Sequence, residues 1–167
     1  MRMMISNEAN ERMESGMTQK SDPCFICKKH RGEVQGEIGP LWEDEHLYVF
    51  HAPFLGKEKV YSGHLMIETK RHLPGWGDLT DAEARAVGLW INRLAAALKA
   101  EGAEHIYSFV VGHHVPHLHV HVVPRYPGTP REYWGVRVDE WPQAPRGGLR
   151  EIEELVGRLR KWLKADH

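Results

Sequence analysis

Three histidines fall at every second position in His117-Leu118-His119-Val120-His121-Val122-Val123, interleaved with apolar residues. Imidazole is the side chain whose ordinary pKa lies nearest neutrality, so such a cluster can titrate, ligate a metal or attack an electrophile. One ring nitrogen can attack phosphorus if the other keeps its proton, held by a carbonyl or carboxylate. The middle residue, His119, has an imidazole on either side. One neighbour can orient, ligate or relay a proton; the other can donate to a phosphate oxygen as charge develops. Strict alternation is the pattern of a half-buried strand. It places His117, His119 and His121 on one face and Leu118, Val120 and Val122 on the other. The run lies between Pro116 and Pro124, inside the chain, so it is not a terminal tag.

The two cysteines of the chain form Cys24-Phe25-Ile26-Cys27. This spacing suits two thiolates on one zinc ion, and redox enzymes use it as well. Asp22-Pro23 before the pair and Lys28, Lys29, His30, Arg31 and Gly32 after it read as a loop, which favours metal over a thioredoxin-like arrangement. Nearby cations also favour the thiolate form. Zinc needs two further ligands. The histidine strand offers one, and His72 offers another; His30 is nearer in sequence.

The elements that must carry these groups follow from periodicity. Residues 42–52 and 63–69 read as strands. Thr80 and Glu83 have capping-box spacing and open a helix whose stripe is Val87, Ile91, Leu94 and Leu98. Gly102 stops it. Residues 104–111 and 117–123 read as a hairpin-like pair. Residues 128–148 are rich in Pro, Gly and Trp and read as irregular. Residues 149–163 form a terminal helix with Ile152, Leu155, Val156, Leu159 and Leu163 on its core side. Strands that pair antiparallel around two helices predict the α+β class.

The chain has 167 residues, 41% hydrophobic and 27% charged, with net charge −1. This is enough for one domain with a real core. It is not a basic nucleic-acid-binding composition, and no apolar run reaches the roughly 18 residues that span a bilayer. Residues 1–20 read as a disordered lead-in without a signal core. Residues 21–167 read as a single domain, with a core at 22–126 and an extension at 127–167. A cytoplasmic location is expected.

The run HLHVHVV resembles the defining motif of the histidine-triad (HIT) family of nucleotide hydrolases and transferases. VPHLHVHVVPRY (residues 115–126) is similar to the family's active-site strand and following turn, and GHLMIETKRH (63–72) to an earlier strand ending in a histidine. WEDEHLYVF (42–50) is similar to the strand lining the nucleotide pocket, and residues 22–27 to the zinc-binding start of bacterial members. Together these segments span roughly two thirds of the chain.

The resemblance implies a HIT-like fold, a small antiparallel sheet packed by a long helix and a C-terminal helix. It implies that His119 is the nucleophile forming a nucleotidyl-histidine on the α-phosphate, and that His121 bonds the phosphate or bridging oxygen. Cys24, Cys27, His72 and His117 would hold a structural zinc. His51 and His121 would contact substrate, with His114 donating to phosphate where relatives have a hydroxyl. Substrates would be dinucleoside polyphosphates or nucleoside phosphoramidates. The rival readings are a phosphorylase or nucleotidyltransferase using the same intermediate, and a non-catalytic nucleotide sensor. His121 stands where the uridylyltransferase branch tends to have glutamine. A homodimer through the long helix and a sheet edge is implied; neither a nucleic-acid nor a membrane partner is expected. Members often carry an acidic residue after the Phe-His of the pocket strand, on the ribose hydroxyls; here Ala52 stands there. Residues 57–61 form extra length before the next strand. Tyr133, Trp134 and Trp141 are expected to pack the terminal helix against the sheet, the alternative being a stack on a base.

Overall fold

The computed structural model describes residues 24–165; the expected lead-in lies outside them. Helix α1 (Phe25–His30) is followed by strands β1 (Trp42–Glu43), β2 (Leu47–His51), β3 (Val60–Tyr61) and β4 (Leu65–Thr69). Then come α2 (Asp81–Ala100), β5 (His105–Phe109), β6 (His119–Arg125), β7 (Arg146–Gly147) and α3 (Leu149–Lys164). The main sheet is antiparallel, in the order β1-β2-β4-β6-β5, and β3 and β7 form a separate two-stranded ribbon.

Register decides what each face of the sheet does. Val49 pairs with Ile67 and Ile67 with Val120, and Leu65 pairs with Val122. These side chains are buried in the core with Val87, Leu94 and Leu98 of α2 and Ile152, Val156 and Leu159 of α3. Because side chains alternate along a strand, the intervening residues make a second row on the opposite face. There Phe50 pairs with Met66, Met66 with His121 and His121 with Phe109, while Tyr48 pairs with Glu68 and Glu68 with His119. Helices α2 and α3 cover one face, and the other is left to build a site with α1.

Helix α2 starts where its cap chemistry dictates. Thr80 accepts from the Glu83 amide, and Glu83 accepts from the Thr80 amide at 2.8 Å. Arg71 then clamps the Glu83 carboxylate at 2.7–2.9 Å. These bonds hold the Glu83 carboxyl down at about 2, the Arg71 bond contributing most. Trp90, absent from the expected stripe, is buried in it, whereas Ile91 is only half-buried.

Three boundaries differ from expectation. The cysteine segment is not a loop, since Cys24 caps the short helix α1. The triad strand starts at His119 rather than His117 and runs on through Pro124 to Arg125. Pairing with β4 ends at Val122, so Pro124 has a strand neighbour on one side only, a position that proline tolerates. Residues 128–148 are irregular up to β7, which pairs Gly147 with Val60 and Arg146 with Tyr61. The extra length before β4 and the extension after β6 thus meet each other.

Candidate functional site

The end of β4, the start of α1 and the approach to β6 converge on four donor atoms. Cys24, Cys27, His72 and His117 bring one ligand atom each within 4.8 Å of one another. The Cys24 Sγ–His117 Nδ1 distance is 3.4 Å, Cys27 Sγ–His117 Nδ1 3.6 Å and Cys27 Sγ–His72 Nδ1 3.3 Å. A tetrahedral zinc with Zn–S near 2.3 Å and Zn–N near 2.1 Å separates its S and N donors by about 3.6 Å, so the set fits. The cysteines form no disulfide. His117 Nε2–H donates to the Thr69 carbonyl at 2.6 Å. This fixes the tautomer that leaves Nδ1 as the ligand, the usual support for a metal-bound histidine. His117 is 1% exposed.

Two residues along, the same logic gives a different outcome. His119 Nδ1–H donates to the His117 carbonyl at 2.6 Å. Its Nε2 carries the free lone pair, and the ring lines a cleft of about 660 Å³. His121 also lines it, stacked on Phe109 with ring centroids 5.0 Å apart, and shares a proton with His64 over a 2.9 Å Nδ1–Nε2 contact. Burial, then repulsion from His119, holds His121 down at about 4. Burial, then His121 and His51, holds His64 at about 3. Both rings are neutral at pH 7, and one proton suffices for the contact between them.

The cleft's apolar wall is Phe25 and Ile26 of α1 with Phe50 of β2. Lys29 lies 3.6 Å above the Phe50 ring and pairs with Glu68 at 2.7 Å. Burial pulls the Lys29 pKa down against the opposing effect of Glu68. Glu68 also accepts from His30 Nε2 at 3.0 Å. This buried carboxylate, opposite His119 in the register, therefore ties α1 to the sheet. His64, Lys29 and Glu68 were not singled out as site residues from sequence, and His30, weighed there as a zinc ligand, bonds Glu68 instead. The signal was present in GHLMIETKRH, where His64, Met66 and Glu68 share a strand face by the same alternation that relates the triad.

Two expected substrate contacts fall elsewhere. His51 lies in the row of Leu65 and Val122, on the core face. Its Nδ1–H donates to the Ala52 carbonyl at 2.9 Å and its Nε2 accepts from the Gly63 amide at 3.1 Å, so both nitrogens are consumed in the fold. Burial lowers its pKa and keeps it neutral, as the accepting role requires. His114 is exposed on the loop before the triad and does not line the cleft. The position after Phe50-His51 does line it, as Ala52. Tyr133, Trp134 and Trp141 do not; Trp134 stacks on Arg125 at 3.8 Å and Trp141 packs with Tyr61, Val123 and Val138. Trp134 and Trp141 thus pack near the end of β6 rather than holding α3 to the sheet, and Tyr133 lies beside Arg137.

Comparison with known proteins agrees with this geometry. Residues 41–128 match the HIT domain model. The chain is 28% identical over 111 residues to a HIT-like protein of Methanocaldococcus jannaschii, covering 63% of this chain and 81% of the relative. It is 27% identical over 112 residues to the Bacillus subtilis protein hit, covering 64% and 73%. A zinc-bound histidine triad family protein from Mycobacterium smegmatis shares the fold with TM-score 0.60 at 19% identity, over 84% of this chain and 93% of that one. A histidine triad nucleotide-binding protein from Sulfolobus tokodaii does so with TM-score 0.63 at 18% identity, over 84% and 92%. The chain belongs to the HIT domain family. No helix among the described residues is long and apolar enough to cross a membrane.

Proposed function

We propose that this protein is a nucleotide hydrolase that cleaves at an α-phosphate through a nucleotidyl-histidine intermediate. The observation that carries the reading is the His119 ring, proton fixed on Nδ1 by the His117 carbonyl and Nε2 free beside the cleft. In the first step His119 Nε2 forms a P–N bond as the bond from phosphorus to the leaving group breaks. His121, neutral and hydrogen-bonded to His64, steadies the leaving group by a hydrogen bond, and the leaving group departs as an anion or takes its proton from solvent. In the second step His121 takes a proton from water, the water oxygen bonds phosphorus, the P–N bond breaks and His121 passes the proton on to solvent. The products are a nucleoside monophosphate and His119 in its starting state.

Cys24, Cys27, His72 and His117 would hold zinc, which supplies no step. Four protein ligands leave no open position; the ion instead fixes the residue whose carbonyl orients His119. Thiolates kept for metal suit a reducing cytoplasm, where we place the protein. We assign residues 24–165 to one domain and the assembly to a homodimer through α2 and the outer edge of β5. Support for the dimer is the terminal position of β5 in the sheet and the exposed Leu89 on α2.

The test is product analysis with diadenosine tetraphosphate and adenosine phosphoramidate, with and without added phosphate, beside the His119→Ala protein. AMP formed by the native chain alone supports hydrolysis. ADP formed only when phosphate is added moves the assignment to a phosphorylase. No turnover of either substrate, with nucleotide still bound, makes the protein a sensor.

A further inference from the structure

The cleft has a second wall, of which Asp139 and Arg146 lie outside the residues that match the HIT domain model. It comes from the loop between β2 and β3 and from the ribbon that β3 makes with β7 of the extension. Lys57, Lys59 and Arg146 line the cleft there. No ion pair engages any of the three among the described residues, whereas Lys29 on the apolar wall is neutralised by Glu68. Arg146 is nonetheless held in place. Its guanidinium donates to the carbonyls of Trp141, Ala144 and Asp139, which spends protons on the protein but leaves the full charge uncompensated. Asp139 is the one acid lining this wall; Glu37 and Glu68 lie with the segments across the cleft. Three cations against one carboxylate, beside a reacting centre of neutral imidazoles, make an electrostatic sink for a negative group.

We propose that this wall binds a second phosphate of the substrate, additional to the one attacked by His119. The inference rests on the nucleotide reading above for the position of the first phosphate. Guanidinium and ammonium groups recognise phosphate through charge-assisted hydrogen bonds. The second phosphate can belong to the nucleoside's sugar or to the polyphosphate chain beyond the α-phosphate. A nucleoside phosphoramidate with an uncharged leaving group would leave the wall unused.

The test is calorimetric titration of the full chain with AMP, ADP, adenosine 2′,5′- and 3′,5′-bisphosphate, and inorganic tripolyphosphate. The same titrations are run on Lys57→Gln/Lys59→Gln and, separately, on Arg146→Gln. The lysine variant changes only exposed side chains and guards against misfolding of the arginine variant. We expect at least one ligand with a second phosphate to bind about tenfold more tightly than AMP. The lysine variant should narrow that advantage to under about threefold, and added salt should do the same. A bisphosphate advantage names the sugar as the source, and an ADP advantage the polyphosphate chain. Equal binding of AMP and every second-phosphate ligand overturns the inference while leaving the nucleotide reading intact. Tripolyphosphate binding that depends on the lysines, with no AMP binding, keeps the anion wall and removes the nucleotide reading. No binding of either probe overturns both.

Discussion

His117 and His119 sit two residues apart, yet the fold sets them to opposite tasks. His117 spends both ring nitrogens, one on the Thr69 carbonyl and one on the thiol corner. His119 spends one, on the His117 carbonyl, and keeps the other for the cleft. What separates the proposed ligand from the proposed nucleophile here is how many nitrogens the surroundings consume. The difference also orders the two regions. The thiol corner is upstream, because it holds the backbone that orients the proposed nucleophile, whereas the His119 ring is bonded to none of the four donor atoms.

The sharpest way to break this comparison is to remove each ring in turn. His119→Ala should lower kcat by at least about 10³-fold, the scale expected for loss of a nucleophile. It should leave zinc content and melting temperature close to those of the native chain. His117→Ala should lower activity and also lose metal and stability. Metal analysis beside thermal unfolding checks both. If His119→Ala sheds the metal, the one-way dependence is wrong.

Metal removal is the next largest effect. Cys27→Ser, or chelation, would leave the buried thiol corner without the zinc proposed for it, and structural zinc sites contribute folding energy outright. Loss of several kcal/mol of stability is expected (~3 or more), with α1 detaching from β4 and the Phe25 side of the cleft opening. Denaturant unfolding with and without chelator measures it. Unchanged stability would mean that the Lys29–Glu68–His30 contacts alone hold α1.

Much of this was legible in the chain because it depends on period and spacing. Alternation placed the three histidines on one face, and Thr80 with Glu83 marked the start of α2. The misplaced residues share another cause. His51 follows the aromatic of the pocket strand, but alternation puts it on the face opposite Phe50, and only pairing with Leu65 and Val122 reveals that this face is the core. His114 occupies the loop position of a phosphate-binding hydroxyl, but the path of that loop carries it into solvent. The β3–β7 ribbon was hidden for a third reason. Its strands are two residues each and lie far apart in sequence, too short for any periodic signal.

His51 gives a prediction of intermediate size. Its partner Gly63 has φ +80°, and a Cβ there would lie 2.9 Å from Tyr126 Oη and 3.0 Å from Leu98 Cδ2 and Pro124 Cγ. Gly63→Ala therefore combines a left-handed backbone with overpacking and should cost about 2–3 kcal/mol, read as a shifted denaturation midpoint. His51→Gln keeps an acceptor and should cost less. Its affinity for AMP should match the native chain's if the residue serves the fold rather than the cleft. A selective loss of AMP binding would return His51 to the substrate site.

The smallest effect tests the electrostatics of the cleft alone. His64 and His121 are held at about 3 and about 4, chiefly by burial and then by neighbouring imidazoles. In the unfolded chain both titrate near 6.5. Between pH 6.5 and about 4 the unfolded state takes up protons that the folded state refuses, so stability present above pH 6.5 is lost as pH falls through that window. Proton-linked loss of metal would have the same sign, so the imidazoles must be observed directly. Nitrogen-15 NMR of the histidine rings should show both neutral at pH 5.5. His121→Gln removes the neighbour whose repulsion adds to burial at His64, so His64 should then titrate at a higher pH than in the native chain. A native His121 that protonates near 6.5 would mean that the cleft carries a positive charge at mildly acidic pH. Phosphate attraction at the triad would then be partly coulombic, and the neutral hydrogen-bonded pair of His121 and His64 would have to be abandoned.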